Sequence, residues 1–170
     1  IRHLLNHRSG LPNYTYFMDD QGWDKKDTVH NRDILDYLIQ KKPLLEDIAP
    51  AGTRFSYCNT NYALLALLIE KISGKSYPEY LKEHIFEPLG MHNSFVYTTD
   101  KEKSVVPSYN WKGELIPMNH LDAVYGDKNI YSSVNDLLLW DRLLASGLYL
   151  QTPILEAAYT PYSNEKPGIR

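Results

Sequence analysis

Apolar side chains return at helical spacing in several separate stretches of the chain, and the residues between them supply start and stop signals. In "HNRDILDYLIQKKP", Ile34, Leu35, Leu38 and Ile39 share one face. Asn31 can cap, Asp33 suits the positive first turn, and Lys41 and Lys42 suit the negative end before Pro43, so a helix is predicted over about 31–42. The run from Tyr62 to Ile69 is eight apolar residues without a break. It predicts a helix from about Thr60 to Ser73, apolar on most sides through its first two turns, central to the core and ended by Gly74. Ser76 and Glu79 fit a capping box, Pro78 fits a first turn, and Leu81, Ile85 and Leu89 continue at i+4 until Pro88-Leu89-Gly90, which predicts a tight helical hairpin. Further on, Ser133 and Asp136 start a helix with a Leu137, Trp140, Leu144 stripe and a stop at Gly147. A last short helix is expected between Thr152-Pro153 and Pro161. At the other end, Ile1, Leu4 and Leu5 form a short apolar face that Ser9-Gly10-Leu11-Pro12 closes, and residues 13–30 read as a loop.

Residues 95–131 break the helical rhythm. "SFVYTT", "SVVPSYNW" and "ELIPM" have strand-like character separated by Gly and Pro. The expected fold is therefore mainly α, a single domain over residues 1–170 with a short extended or β-hairpin insert around 95–131. The chain opens inside a helical pattern with no capping residue before Ile1 and stops in the polar "SNEKPGIR", so it is expected to be part of something longer.

Composition narrows the partners. A net charge of −3, with 43% hydrophobic and 23% charged residues, is ordinary for a globular chain and offers no electrostatic footprint for nucleic acid. The one cysteine, Cys58, allows neither an internal disulfide nor a thiolate cluster. The longest apolar run is far short of the roughly 20 residues that span a bilayer, so no transmembrane segment is expected. His3 and His7 stand at i,i+4, yet no Glu follows His3 to complete a zinc-protease pattern. No metal and no cofactor are expected.

The chemistry-bearing candidate is Tyr57-Cys58-Asn59, a phenol, a thiol and an amide directly before the apolar helix. A Tyr-x-Asn triplet alone carries little, because the chain has 14 tyrosines and an Asn before a helix is commonly a cap. Its surroundings carry more. "IRHLLNHRSGLP", "PAGTRFSYCNTNYALLALLIEKISGKSYPEYLKEHIFEPLGM" and "GDKNIYSSVNDLLLWDRLL" resemble the serine β-lactamase and penicillin-binding-protein-like family, in its class C, DD-peptidase and esterase branch. The resemblance implies the helical domain of that fold and a parent protein that acylates a serine and hydrolyses the ester. It makes Tyr57 and Asn59 the catalytic candidates. A phenol beside a lysine ammonium can take the serine proton and return one to the leaving group, and a carboxamide can donate to the substrate carbonyl. Cys58, alternating with them, is expected to point into the core as a buried, inert thiol.

The same resemblance places the nucleophile's Ser-x-x-Lys motif before Ile1 and a Lys-Thr-Gly or His-x-Gly strand after Arg170, so this chain by itself is expected to be inactive. Ser163-Asn-Glu-Lys166 has the right spacing but sits between Pro161 and Pro167, where no helix can bring its ends together. In "YGDKNIYSS", Asn129 stands where many relatives carry Gly, and it tolerates a positive φ better than most residues. Asn129 and Tyr131 in this loop, with Tyr109 and Trp111 beside Pro107 and Gly113, are candidate substrate-binding residues. Asp127 and Lys128 read as loop and capping residues. The implied partner is a small molecule or peptide (β-lactam, peptidoglycan peptide or ester), in the periplasm or at the cell envelope. The rival expectation is a non-catalytic module with the same fold that binds peptide or cell-wall fragments.

Overall fold

The structure is a computed structural model that describes residues 1–41, 47–98 and 105–162. The expected positions of Lys42 and Pro43, and the Ser163–Lys166 tetrad, lie outside the described residues.

Helices dominate, in the order α1 (Arg2–Leu5), α2 (Tyr14–Asp20), α3 (Asn31–Lys41), α4 (Asn59–Ser73), α5 (Tyr77–Leu81), α6 (Val134–Ser146) and α7 (Thr152–Tyr159). Among the described residues four two-residue strands accompany them: β1 (Phe95–Val96), β2 (Ser108–Tyr109), β3 (Leu115–Ile116) and β4 (Ile130–Tyr131). β2 and β3 form the hairpin expected within 95–131. β1 pairs antiparallel with the distant β4, Phe95 opposite Tyr131, so the whole insert leaves and returns through one ladder.

α4 organises the core through its two smallest apolar residues. Ala63 belongs to one buried cluster, with Tyr14, Phe17, Met18, Val29, Ile34, Leu38 and Val124. One turn on, Ala66 belongs to a second, with Tyr77, Leu81, Phe86, Met91 and Val96. The helix is thus the wall between two half-cores, and alanines on both sides let neighbouring elements approach its backbone. Its leucines are less covered than an all-round apolar helix suggests. Leu65, Leu68, Ile69 and Ile72 line a groove with Ile1 and Leu5, and Ile72 is 76% exposed.

Gly126 makes that closeness concrete. It lies against α4 at φ +102, and a Cβ there would meet the Tyr62 carbonyl and the Ala66 methyl. Asn31 secures the same contact from the other side. Its Nδ2 donates to the carbonyls of Ala63 (3.0 Å) and Tyr125 (2.6 Å), and its Oδ1 accepts from the Tyr125 amide at 3.0 Å. Asn31 was expected to cap α3. It is instead buried as a three-bond staple, and the helix start is served by Asp33, whose carboxylate accepts from the His30 amide at 2.8 Å.

Several other expectations need correcting. Residues 13–30 hold α2, whose Tyr14, Phe17 and Met18 follow i, i+3, i+4 and are all buried, with Asn13 as its cap. The first helix ends at Leu5 rather than near Ser9, because His7 takes φ +56 and turns the chain away. After the capping box of Ser76 and Glu79, α5 widens into a π-turn over Lys82–Phe86. Gly74 and Gly147 stop their helices in the left-handed conformation, as expected.

On α6 the apolar stripe is only partly used. Trp140 packs on the second cluster, but Leu137 is 54% exposed, and Asp136 is the one buried residue of the helix. Its carboxylate accepts from the Asn93 amide (2.8 Å) and the Ser94 hydroxyl (2.7 Å), at a helix N-terminus capped by Ser133. Burial works to raise the Asp136 pKa, and these hydrogen bonds outweigh it, leaving the group below its ordinary 3.8. A folded pKa below the unfolded one means stabilisation that is present above about pH 4 and lost as pH falls through the folded value. Asp136→Asn is therefore expected to melt clearly below the wild type at pH 7, with the difference shrinking toward pH 3. Melting curves at stepped pH check it.

Candidate active site

The site forms where the segment before α4 lies along the segment after α1. The Ser56 amide donates to the His7 carbonyl at 2.9 Å and the Cys58 amide to the His7 Nδ1 at 3.1 Å, which holds residues 56–58 extended. Side chains then alternate. Tyr57 points out and is 61% exposed, while Cys58 points in and is 1% exposed. The Cys58 thiol faces the carbonyls of Leu11 (3.4 Å) and Pro12 (3.6 Å), and burial pushes its pKa up, the reverse of what a nucleophilic thiolate needs.

The polar residues that follow divide the same way. Thr60 Oγ1 donates to the Pro12 carbonyl (2.8 Å) and accepts from the Tyr14 amide (2.7 Å). Asn61 Oδ1 accepts from the Ser9 hydroxyl at 2.6 Å. Asn13 Oδ1 accepts from the Asn59 amide at 3.3 Å, so the start of α4 is served from outside rather than by its own N-cap, Cys58. Thr60, Cys58 and the Asn61 Oδ1 are thus spent on fastening α4 to residues 9–14, while the Asn61 Nδ2 is buried without a partner among the described residues. The Tyr57 ring and the Asn59 carboxamide are not so spent; the latter has no hydrogen-bond partner among the described residues.

Tyr57 borders a cavity of about 270 Å³ with a largely apolar floor from Leu11, Pro12, Phe17 and Ile48. Among the described residues Asp20 is its one charged lining residue, and Tyr16 stands at its side. On its other face the Tyr57 ring lies 4.5 Å from the His7 imidazole, centre to centre, and His7 in turn is 5.2 Å from Tyr62.

The four candidate substrate-binding residues do not line this cavity. Asn129 has the positive φ (+71) its sequence position suggested, but its Nδ2 is committed to the carbonyls of Asp122 (2.6 Å) and Val124 (2.8 Å). Tyr131 stacks on Phe95 at 5.5 Å. Tyr109 and Trp111 ride on the β2–β3 hairpin, 59% and 89% exposed, with Lys112 Nζ 5.0 Å from the indole ring. Asp127 is more than a loop residue. Its Oδ2 accepts from the Tyr14 hydroxyl at 2.8 Å, its Oδ1 is buried without a partner, and burial raises its pKa. Among the described residues no group of three or more His, Cys, Asp or Glu side chains could hold a metal ion.

Sequence reasoning missed Asn13, Thr60 and Asn61 as supports. The available signal was the run of small polar residues at the mouth of an apolar helix, a place where buried polar groups must find partners.

Comparison with known proteins decides the lineage. The β-lactamase family model matches residues 1–169. The chain belongs to the β-lactamase family. Among curated relatives of this β-lactamase-family chain, penicillin-binding protein 4* of Bacillus subtilis is 33% identical over 95% of the chain and 39% of its own length. A D-aminopeptidase of Brucella anthropi is 32% identical over 95% of the chain and 33% of its own length. Among solved structures, the octameric penicillin-binding protein homologue of Pyrococcus abyssi superposes with a TM-score of 0.73 at 30% identity, over 98% of this chain and 39% of that one. D-amino acid amidase of Ochrobactrum anthropi SV3, in complex with L-phenylalanine, gives 0.69 at 25%, over 91% and 44%. The chain therefore spans about a third to two-fifths of the length of these curated relatives. No helix among the described residues is long and apolar enough to cross a membrane.

Proposed function

We propose that the protein carrying this chain is a serine hydrolase that forms and hydrolyses an acyl-serine, and that residues 1–170 supply one wall of its cleft as a single helical domain. Tyr57 passes the proton between the serine and the leaving group, and Asn59 offers its carboxamide to the substrate. The observation that carries this reading is the selective exposure in the triplet's neighbourhood. Cys58, Thr60 and the Asn61 Oδ1 are consumed by the scaffold, while the Tyr57 side chain stays exposed beside a cavity and the Asn59 carboxamide is not tied to the scaffold. The serine comes from outside residues 1–170, and without it and an oxyanion-stabilising strand the terms that dominate acyl transfer are gone.

The cavity beside Tyr57 narrows the substrate. Among the described residues the lining is largely apolar with Asp20 as its carboxylate, which favours an apolar side chain and disfavours an anionic group there. That agrees with the amidase and aminopeptidase relatives, so a small amide or peptide substrate at the cell envelope is the reading adopted. Tyr109 and Trp111 would meet substrate only as a rim.

Intact-mass analysis after incubation with a penicillin or a fluorophosphonate tests the assignment. The full-length protein should gain one adduct on a serine outside residues 1–170, and the isolated chain should gain none. An adduct on the isolated chain, or none on the full-length protein, would overturn it, and the second result would favour a non-catalytic binding module.

A further inference from the structure

His7 makes two bonds to the Tyr57 turn, one on each side of the tyrosine. Its carbonyl accepts from the Ser56 amide (2.9 Å) and its Nδ1 from the Cys58 amide (3.1 Å). Its ring then lies 4.5 Å from the Tyr57 ring, tilted by 38°. To do all three, His7 takes φ +56, one of two positive-φ residues among the described ones that are not glycine. A left-handed conformation at a histidine is unfavourable and persists only where the surroundings impose it. One residue therefore fixes the backbone before Tyr57, the backbone after it and one face of its ring.

We propose that His7 is a positioning residue for Tyr57 and that it works only as the neutral imidazole, so that protonation of His7 releases the Tyr57 turn. This rests on the reading of Tyr57 as the proton carrier. The reason is the direction of the Cys58 bond. Nδ1 accepts there, so it must keep its lone pair, and the ring's proton must reside on Nε2. A proton added to Nδ1 turns the acceptor into a donor facing another N–H. The Cys58 bond is lost and the cationic ring must find water. Cys58 is the N-cap of α4, so the lost bond lies at the hinge between Tyr57 and the helix.

The surroundings agree. The titratable groups facing the ring are Tyr57 and Tyr62, and among the described residues no carboxylate acts on it. Burial outweighs an upward pull from the Cys58 backbone and holds its pKa below the ordinary 6.5. Neutral His7 is thus the resting state at pH 7, and the loss falls on the acid side.

The test uses the full-length protein with ring-labelled histidine and tyrosine. By NMR, His7 should report an unprotonated Nδ1 and titrate below pH 6.5, and the Tyr57 ring signals should shift with the same midpoint. In kinetics with an activated ester such as p-nitrophenyl acetate, kcat should fall tenfold per pH unit below that midpoint. His7→Ala should lower kcat about a hundredfold at pH 7.5 with KM little changed, as expected for a misplaced group. His7→Asn is the decisive variant. Asn tolerates positive φ and its Oδ1 can accept from the Cys58 amide, but it cannot be protonated, so kcat at pH 7.5 should be largely restored and the acid limb should vanish. Tyr57 signals that stay fixed while His7 titrates, or an acid limb that persists in His7→Asn, would overturn the proposal. Should Tyr57 follow His7 in the spectra while Tyr57→Phe retains full turnover, the clamp stands and the catalytic reading of Tyr57 is what fails.

Discussion

Tyr57→Phe in the full-length protein is expected to cut kcat by about a hundred- to ten-thousandfold, the range for losing a positioned acid–base group, with little change in the melting temperature. The two halves of that expectation have separate grounds. Chemically, phenylalanine keeps the ring against His7 and removes only the hydroxyl, the one atom able to carry a proton. Structurally, the side chain is 61% exposed, so the hydroxyl is not holding the fold. Steady-state kinetics and a thermal melt on the same preparation check both. A mutant with wild-type turnover would remove Tyr57 from the mechanism, and one that unfolds would show a structural part for the hydroxyl.

A large loss of stability is expected at Gly126. An alanine there must adopt φ +102, outside the regions L-residues favour, and its methyl must enter space held by the Tyr62 carbonyl and the Ala66 side chain. Neither neighbour is a flexible side-chain end. The loop has to lift from α4, and with it goes the Tyr125 backbone that Asn31 grips. Backbone strain, overpacking and a broken buried network together make Gly126→Ala destabilising by about 3–5 kcal/mol. Chemical denaturation measures this directly, and a loss below about 1 kcal/mol would mean that the loop is not clamped to α4.

The helices were legible in the sequence wherever periodicity and caps agreed. Ser76 with Glu79, Ser133 with Asp136, Gly74 and Gly147 mark local events, and local chemistry decides them. Asn31 shows where such reasoning stops. Its position at a helix start looks the same whether the side chain caps its own helix or reaches across to Ala63 and Tyr125, and only the long-range packing chooses. α2 was overlooked because a seven-residue helix between glycine-bearing turns gives a weak period.

The site divides along the same line. Tyr57 out and Cys58 in follow from strand alternation, and the structure has that arrangement. The neutral-acceptor geometry of His7 was not legible, since its pairing with Cys58 joins positions 51 residues apart. Asn129 was half legible. Its positive φ follows from the residue type, whereas the two carbonyls that occupy its amide come from the fold of the loop.

The ladder between β1 and β4 has a consequence for how this surface could diversify. The β2–β3 hairpin, exposed along both strands, is held between two anchored ends, Phe95–Val96 and Ile130–Tyr131. Closing a longer flexible loop between fixed ends is entropically inexpensive, about 0.6 kcal/mol for each doubling of its length. Insertions, deletions or wholesale exchange of residues 108–116 can therefore be absorbed without disturbing either half-core, making the hairpin a natural graft site at fixed stability.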